Sequence, residues 1–408
     1  MAEMQALRKE TMLRKETTKD RYQAVEDAYR SNNKKLGKEY FVVDCDRHII
    51  EPPEAFTMFL DPEFAKMAPK PVNDNAGSPR LMMEGRLYQK PTGWGSGRPE
   101  GCGDQRPRGE GMSYDRAYKH AFENRDIDMD FSGIDVAVWI PTLGLFVPDI
   151  QNFELQYAVC RALNDWTAKI WATGKRHLWC VTLPQGKPEW AVAEIKRCKN
   201  LGATCVWLRP NVMNGVRWWD EAWDPVWKTM TDLGMALVFH EATGTYNATY
   251  STDYKFDRYW VAHAVSHPLE MAAGLSGIIG MGVLHRHPKL KVLFCEAGAS
   301  WVPYMLFRLD SHVSARPKHE LVPLTMLPSE YFKRQCVIAS FEPEEALLTE
   351  TVAWLEGKNM ACTSDYPHWD SSGVSGVVRY MERFKDITQE VKLEFFSRAA
   401  IDALGLTA

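Results

Sequence analysis

The run YFVVDCD (40–46) leads directly into RHIIEPP (47–53), so a short apolar segment ends in charged side chains. Seven further runs have the same form: VAVWIPT (136–142), HLWCVTLP (177–184), CVWLRPN (205–211), MALVFHE (235–241), LKVLFCEAG (290–298), CVIASF (336–341) and MACTSDYP (360–367). Amphipathic stretches such as PEWAVAEIKRCKNLG (188–202) separate them, and several end in Gly, as helices do. Eight strands alternating with helices predict a parallel sheet closed into a (β/α)8 TIM barrel, an α/β fold.

Composition excludes several classes of protein. The chain has 408 residues, of which 45% are apolar and 25% charged, as in globular proteins rather than disordered or fibrous ones. A net charge of -4 favours a small-molecule substrate over nucleic acid or a membrane surface. No apolar run reaches the roughly 18 residues of a membrane span, and the first residues are charged. These features predict a cytoplasmic protein.

Cysteine and tryptophan usage adds two expectations. The nine Cys are scattered and never form a CxxC pair, which argues against a disulfide framework or a thiolate zinc site and predicts small buried side chains. The 15 Trp suggest additional aromatic surface in a pocket or a subunit interface. We therefore expect a homo- or hetero-oligomer.

The chain divides into a short arm and one large domain. Residues 1–38 are highly charged, which predicts a solvated helical arm or an arm that contacts a partner subunit. Residues 39–408 would form the barrel. Within them, 74–111 contain nine Gly and four Pro with little periodicity, so we expect an insertion loop. Because it follows the first strand, it would lie over the carboxyl end of the barrel as a substrate lid, or it would have no function.

Candidate metal ligands stand where the predicted strands end. Asp46 and His48 are two residues apart, a spacing that puts both side chains on one face of an extended chain. His240, Glu296 and Asp365 follow three other strands. Two histidines and three carboxylates around one mouth predict a site for one or two divalent ions of iron, manganese or zinc.

Further histidines lie near these positions. His263 and His267 are four residues apart, and Pro268 is predicted to begin a helix with His267 at its cap. His267 would then be another metal ligand, a group that binds a substrate carboxylate, or a capping residue. His368 is predicted to support the ligands from outside the metal shell. His285 and His287 precede a strand, so we place both at the opposite face.

Arg209, after the fourth strand, has two equally weighted interpretations. Its guanidinium would pair with a substrate carboxylate, or it would be one member of a structural ion pair.

Four motifs in order resemble the amidohydrolase-related family, which includes aminocarboxymuconate-semialdehyde decarboxylase and resorcylate decarboxylase types. They are VDCDRHIIEPPEAF (43–56), the segment from HPLEMAAG to MLFRLD (267–310), LPSEYFKRQCVIASFEPEE (327–345) and SDYPHWD (364–370). The resemblance covers about residues 40–405 and implies a distorted TIM barrel with a metal at its mouth. It also implies that Asp365 is a strand-eight aspartate that binds metal and moves a proton.

Two positions depart from the pattern of the decarboxylase relatives. Those relatives carry His-x-His after strand one, where this chain has Asp46-Arg47-His48. They carry histidine followed by glycines after strand six, where this chain has Glu296-Ala297-Gly298. Carboxylates in both places favour iron or manganese and two ions rather than one.

The sequence leads to one preferred function and three alternatives. The first is a metal-dependent hydrolase of a small carboxylated or acyl substrate, in which a metal-bound water attacks a carbonyl group and Asp365 and His267 are catalytic. The second is a dinuclear monooxygenase that resembles the 2-aminoisobutyrate hydroxylase type. The others are a decarboxylase and a non-catalytic partner subunit.

Overall fold

All eight apolar runs form strands of one parallel sheet in the computed structural model. The structure describes residues 40–73, 79–87, 114–243, 256, 259–316, 324–340, 342–368, 371 and 376–406. The predicted arm at 1–38 and most of the predicted lid lie outside these residues.

The barrel strands follow one another in chain order around the sheet. In order they are β1 (Val43–Ile49), β5 (Val136–Pro141), β6 (His177–Thr182), β7 (Cys205–Leu208), β8 (Ala236–Phe239), β9 (Val292–Phe294), β10 (Cys336–Ser340) and β11 (Met360–Cys362). The chain just after β11 returns to β1, where the amide of His48 donates to the carbonyl oxygen of Tyr366 at 2.7 Å. The amide of Asp365 donates to the carbonyl oxygen of Asp46 at 2.9 Å. These bonds close the predicted (β/α)8 barrel.

Helices connect the strands on the outside of the barrel. They are α1 (Pro53–Thr57), α2 (Tyr114–Ser132), α3 (Phe153–Trp166), α4 (Pro188–Asn200), α5 (Asp224–Asp232), α6 (Tyr259–Gly280), α7 (Val283–Arg286), α8 (Trp301–Ala315), α9 (Pro328–Gln335), α10 (Leu348–Trp354), α11 (Gly376–Arg383), α12 (Gln389–Leu393) and α13 (Ala399–Leu404). Turns of 3-10 helix at Pro62–Met67, Gly144–Asp149 and Glu221–Trp223 and of π-helix at Thr167–Trp171 and Glu394–Arg398 complete the elements. No helix within the described ranges is long and apolar enough to cross a membrane.

Part of the predicted lid is regular structure. The strands β2 (Lys70–Asn73), β3 (Pro79–Met83) and β4 (Arg86–Leu87) form a small antiparallel sheet. Residues 79–87 therefore do not belong to an irregular loop, as the Gly and Pro content had indicated. The pairing of β3 with β2, which precedes the Gly-rich stretch, supplies the backbone partners that composition alone did not show.

Three barrel strands end at other residues than predicted, and these ends position the polar side chains of the mouth. β1 continues to Ile49, and its pairing with β5 shifts between Asp44 and Arg47, which marks a bulge. β9 and β11 end earlier than predicted, at Phe294 and Cys362, so Glu296 and Asp365 lie in the loops beyond. Bulges and loops at the carboxyl edge turn these side chains into the mouth.

The predicted start of one helix was wrong. α6 begins at Tyr259, so Pro268 lies inside the helix and His267 is not at its cap. Proline removes one helical hydrogen bond, but the buried Met271, Leu275 and Ile278 anchor the helix to the core. His263 and His267 consequently lie one turn apart on one helix.

Tryptophan and cysteine contribute mainly to the interior. The six tryptophans 139, 166, 171, 207, 218 and 227 are fully buried, so much of the aromatic excess is core rather than interface. The eight cysteines that the structure describes are also buried, as expected, and none of these eight forms a disulfide bond. Cys102 lies outside the described residues.

Candidate metal centre

Buried histidines and carboxylates converge at the mouth of the barrel in three overlapping groups. Asp46, His48, His240 and Asp365 form the first group, His263, His267 and Glu296 the second, and Glu296, Asp365 and His368 the third. Within each group the potential ligand atoms lie within 4.8 Å of one another. The structure thus brings all six predicted ligands together and adds His263 and His368.

His48 stands at the middle of the first group. Its Nε2 atom lies 3.0 Å from His240 Nε2, 3.1 Å from Asp365 Oδ1 and 3.2 Å from Asp46 Oδ1. One imidazole nitrogen cannot donate to all three partners, because it carries at most one hydrogen. A cation among these atoms would satisfy them together.

Contacts on the far side of each imidazole orient the nitrogen that faces the centre. The Nδ1 atoms of His48, His240 and His267 donate to the carbonyl oxygens of Pro141, Glu241 and His263 at 3.1, 2.6 and 3.1 Å. The lone pair of each neutral ring is then on Nε2, which points into the cluster. Hydrogen bonds of this kind are what fix metal-ligating histidines.

Glu296 and Asp365 hold an unusual backbone conformation. Their φ angles are 56° and 54°, in the left-handed region that residues other than glycine seldom adopt. Strain of this kind persists where the surroundings impose it, often at functional sites. Here it directs Glu296 Oε2 to within 3.0 Å of His267 Nε2 and 3.2 Å of His240 Nε2.

The charges of the cluster are strongly coupled. Burial lowers the pKa of His48, but Asp365 and Asp46 outweigh this effect and raise it well above its ordinary value. Burial lowers the pKa of His240, which stays below its ordinary value. Burial raises the pKa of Glu296, but His267 and His240 hold it well below its usual range. The facing pair His48 and His240 therefore attracts one positive charge, which either a proton or a metal ion can supply.

The chemistry of the donors fits a divalent metal. Asp46 and Asp365 are fully buried, and none of their four carboxylate oxygens has a hydrogen bond of normal geometry among the described residues. Buried carboxylates are ordinarily paired with donors or coordinated to metals. Carboxylate oxygens with imidazole nitrogens form a set that manganese, iron and zinc all accept.

His368 lies directly beside His48 and Asp365. Its ring stacks on His48 with the centroids 3.8 Å apart. The Nδ1 atom lies 2.9 Å from Asp365 Oδ1, and Nε2 lies 3.2 Å from Thr142 Oγ1. His368 therefore presents one nitrogen to the carboxylates, as the other histidines do.

Arg209 is engaged in protein contacts. The guanidinium donates to Glu241 Oε1 at 2.8 Å, to the carbonyl oxygen of Ala242 at 3.0 Å and to Asn211 Oδ1 at 3.2 Å. Arg209 and Glu241 are both fully buried. This arrangement favours the structural ion pair over the binding of a substrate carboxylate.

His285 and His287 stand apart from the centre. His285 Nδ1 pairs with the hydroxyl of Tyr331 at 2.8 Å, and His287 Nε2 lies 3.1 Å from Asp224. Neither histidine belongs to the three groups.

Glu51 holds a loop next to the centre, and the sequence analysis did not identify this residue. Its carboxylate accepts from the amides of Thr142, Leu143 and Gly144 at 3.2, 3.0 and 2.8 Å. It therefore fixes the loop after β5 that carries Thr142, the partner of His368. The only sequence signal is an acidic residue just after the first strand.

The fold and the cluster together define a (β/α)8 barrel with histidine and carboxylate side chains at the carboxyl end of its strands, which is where enzymes of this fold have their active sites. A family model described as amidohydrolase matches residues 43–406. The chain belongs to this amidohydrolase family.

One curated protein is similar in sequence and one solved structure is similar in fold. The chain is 28% identical over 248 residues to 2-amino-3-carboxymuconate-6-semialdehyde decarboxylase of Dictyostelium discoideum, a match that covers 60% of this chain and 66% of the relative, just under two thirds. The structure of amidohydrolase map2389c from Mycobacterium avium subsp. paratuberculosis K-10 superposes with a TM-score of 0.75 at 22% identity, covering 91% of this chain and 99% of that one.

A dihydroxybenzoic acid decarboxylase from Polaromonas sp. JS666, solved with bound manganese and an inhibitor, shares the same fold. It superposes with a TM-score of 0.59 at 14% identity and covers 90% of this chain and 98% of that one. Both relatives named here by a specific reaction are decarboxylases.

Proposed function

We propose that this member of the amidohydrolase family is a divalent-metal-dependent enzyme that decarboxylates a small organic acid. The observation that carries the proposal is the first group, in which two oriented histidines face two buried carboxylates whose oxygens have no hydrogen bond of normal geometry among the described residues. The decarboxylase from Dictyostelium discoideum supports the choice of reaction. The bound manganese of the Polaromonas relative supports the choice of metal.

Asp46, His48, His240 and Asp365 are the residues that would hold the ion. A divalent ion there would act as a Lewis acid that binds the substrate carboxylate and stabilises negative charge on the substrate. The surrounding side chains are almost entirely buried, so they exclude water and strengthen each electrostatic contact.

Decarboxylation breaks the bond between a carbon atom and the carboxylate carbon, and carbon dioxide leaves. The electron pair stays on the remaining carbon, which must then take a proton. Asp365 is the residue we assign to move that proton, because its Oδ1 lies 2.9 Å from His368 Nδ1, which can supply the proton. His267 would act by holding Glu296 in place rather than on the substrate itself.

The sequence favoured a hydrolase, and that function stays a prediction. We prefer decarboxylation because the relatives named here by a specific reaction are decarboxylases. The oxygenase alternative has one specific observation in its favour. Three carboxylates in overlapping groups form an oxygen-rich set of the kind that suits iron and manganese.

The test is the product of turnover by protein purified without chelators and loaded with manganese. A panel of dihydroxybenzoates and carboxymuconate-type acids would be screened for released carbon dioxide, with oxygen uptake followed in parallel. We expect metal-dependent release of carbon dioxide without oxygen uptake, and its loss in His240→Ala. The exposed His312→Ala is the matched control. Turnover that consumes oxygen, or that yields hydrolysis products, would contradict the proposal.

A further inference from the structure

We propose that the loops after β6 and β7 form a subsite that binds an uncharged oxygen atom of the substrate, with the side-chain amides of Gln185 and Asn211 as hydrogen-bond donors. The inference rests on the proposed function, because it takes the substrate to be a small acid bound at the mouth of the barrel. It adds a second point of recognition, apart from the residues that would hold the metal ion. The group that the subsite selects is a hydroxyl or carbonyl oxygen.

Two buried amide groups carry donors that the protein does not use. Gln185 Nε2 and Asn211 Nδ2 have no hydrogen-bond partner among the described residues. The two residues are only 4% and 3% exposed. Leaving a buried N–H group without an acceptor is costly, so such groups in folded proteins nearly always meet one from the protein, from water or from a ligand. These donors therefore point to an acceptor from outside the chain.

Both residues lie at the end of the barrel that carries the metal centre. Gln185 comes shortly after the end of β6, and Asn211 comes shortly after the end of β7. These two strands are neighbours in the sheet, and they lie between β5 and β8. In (β/α)8 enzymes the loops at this end of the barrel bind the substrate. The two amides are thus placed to contact a substrate that also reaches the metal centre.

Asn211 is connected to the metal centre through Arg209. Asn211 Oδ1 accepts from Arg209 Nε at 3.2 Å, which fixes the side of the amide that carries the donor. The same guanidinium donates to Glu241 Oε1 at 2.8 Å and to the carbonyl oxygen of Ala242 at 3.0 Å. Glu241 and Ala242 directly follow His240, which belongs to the first group. The donor of Asn211 is therefore held next to the loop that carries His240.

The loop that carries Gln185 is also fixed. The backbone amides of Gln185 and Gly186 both donate to Gln156 Oε1, at 2.8 and 3.1 Å. Gln156 Nε2 in turn donates to the carbonyl oxygens of Pro148 and Ile150 at 3.1 Å each. A loop held in this way loses little conformational entropy when its side chain binds an acceptor.

The charges around the donors favour an uncharged acceptor. Arg209 is paired with Glu241 at 2.8 Å, and both residues are fully buried, so the pair is neutral as a whole. The donors of the subsite are themselves neutral amides. A second carboxylate of the substrate would be buried there without a compensating positive charge, which is unfavourable. A hydroxyl or carbonyl oxygen can accept from an amide without that cost.

The experiment compares the binding of matched small acids to manganese-loaded, full-length protein by calorimetry. The probes are benzoate and the ortho, meta and para isomers of hydroxybenzoate and of benzenedicarboxylate. We expect one hydroxybenzoate to bind at least about tenfold more tightly than benzoate, as one or two added hydrogen bonds would give. The corresponding dicarboxylate should bind less tightly than that hydroxybenzoate. A parent protein that binds no hydroxybenzoate more tightly than benzoate, or that prefers the dicarboxylate, would overturn the proposed subsite.

Two variants remove the donors with little change of shape. Gln185→Met keeps the length of the side chain without its amide, and Asn211→Asp keeps an acceptor for Arg209 without the donor. In each variant the ratio of hydroxybenzoate affinity to benzoate affinity should fall by at least about fivefold. Asn200→Asp makes the same change as Asn211→Asp at an exposed position at the end of α4 and should keep the ratio of the parent.

A second readout separates recognition of the substrate from support of the fold. The midpoint of urea denaturation of Gln185→Met should equal that of the parent, because the amide nitrogen that is lost has no partner in the protein. An unchanged affinity ratio in both folded variants, or a lowered midpoint in Gln185→Met, would overturn the subsite. Release of carbon dioxide by the parent is measured separately and decides the proposed function, so each proposal can fail without the other.

Discussion

His48 Nε2 lies 3.0 Å from His240 Nε2, and each ring donates its other nitrogen to a backbone carbonyl oxygen. Two neutral rings held in this way direct lone pairs at each other. The carboxylates of Asp46 and Asp365 add negative charge to the same space. The site between the two rings therefore favours a positive charge, supplied by a proton or a metal ion.

Thr142→Val should weaken metal binding, because it removes the hydroxyl that lies 3.2 Å from His368 Nε2. His368 contacts the proposed ligand Asp365, and loss of an outer hydrogen bond of this kind typically costs about 10–100-fold in metal affinity. Thr142→Ser keeps the hydroxyl and is the matched control. Manganese titration of both variants measures the effect, and equal affinities would show that Thr142 does not orient His368.

Glu51→Gln should destabilise the fold, because one of the two oxygens that accept from three backbone amides becomes an amide nitrogen. An unsatisfied buried donor costs about 1–3 kcal/mol in the free energy of unfolding. Urea denaturation measures the loss. The exposed Glu63→Gln should change stability by less than about 0.5 kcal/mol. If Glu51→Gln also changes the free energy of unfolding by less than about 0.5 kcal/mol, the hydrogen bonds from Glu51 do not stabilise the loop after β5.

Arg209→Met should lower the free energy of unfolding by about 3–5 kcal/mol, because it leaves the buried Glu241 without its partner at 2.8 Å. Glu241→Gln should have a similar effect. If the two residues form a structural ion pair, the double variant should lose at least about 1 kcal/mol less than the sum of the single losses. Strictly additive losses would contradict the ion pair.

Asp165→Asn should make stability less dependent on pH in acid. Burial raises the pKa of Asp165, but Arg197 and Lys169 outweigh this effect and lower it below its ordinary value. A depressed folded pKa stabilises the protein above the unfolded value of about 3.9, and this contribution is lost as pH falls through the folded pKa. Parent and variant should therefore differ by about 1 kcal/mol at pH 7, and the difference should shrink as pH falls from the unfolded pKa through the folded pKa of Asp165.

Asp232→Asn is the control for this comparison, since Asp232 forms an exposed pair with Lys228. It should cost less than about 0.5 kcal/mol. A difference between parent and Asp165→Asn that does not shrink as pH is lowered below the unfolded pKa would contradict the assigned role of Asp165.

The sequence was sufficient to predict the eight strands, because short apolar runs between amphipathic helices have few alternative arrangements. It also predicted that Asp46, His48, His240, Glu296 and Asp365 lie close together, since parallel strands bring their carboxyl ends to one edge. It misplaced the start of α6 because proline is more common in a first turn than inside a helix.

Two features of the site depend on contacts between distant parts of the chain. His368 reaches the cluster because the loop after β11 folds back on β1, where His48 and Tyr366 are hydrogen bonded. Glu51 and Thr142 are 91 residues apart and meet only when the barrel closes. No local pattern encodes either contact.

The most direct test of the metal centre is anomalous X-ray diffraction from crystals grown with manganese, measured on both sides of the manganese absorption edge. The account predicts a peak within bonding distance of the Nε2 atoms of both His48 and His240, with Asp46 and Asp365 as further ligands. A saturated crystal with no anomalous peak among these four side chains, or with manganese only at surface carboxylates, would contradict it.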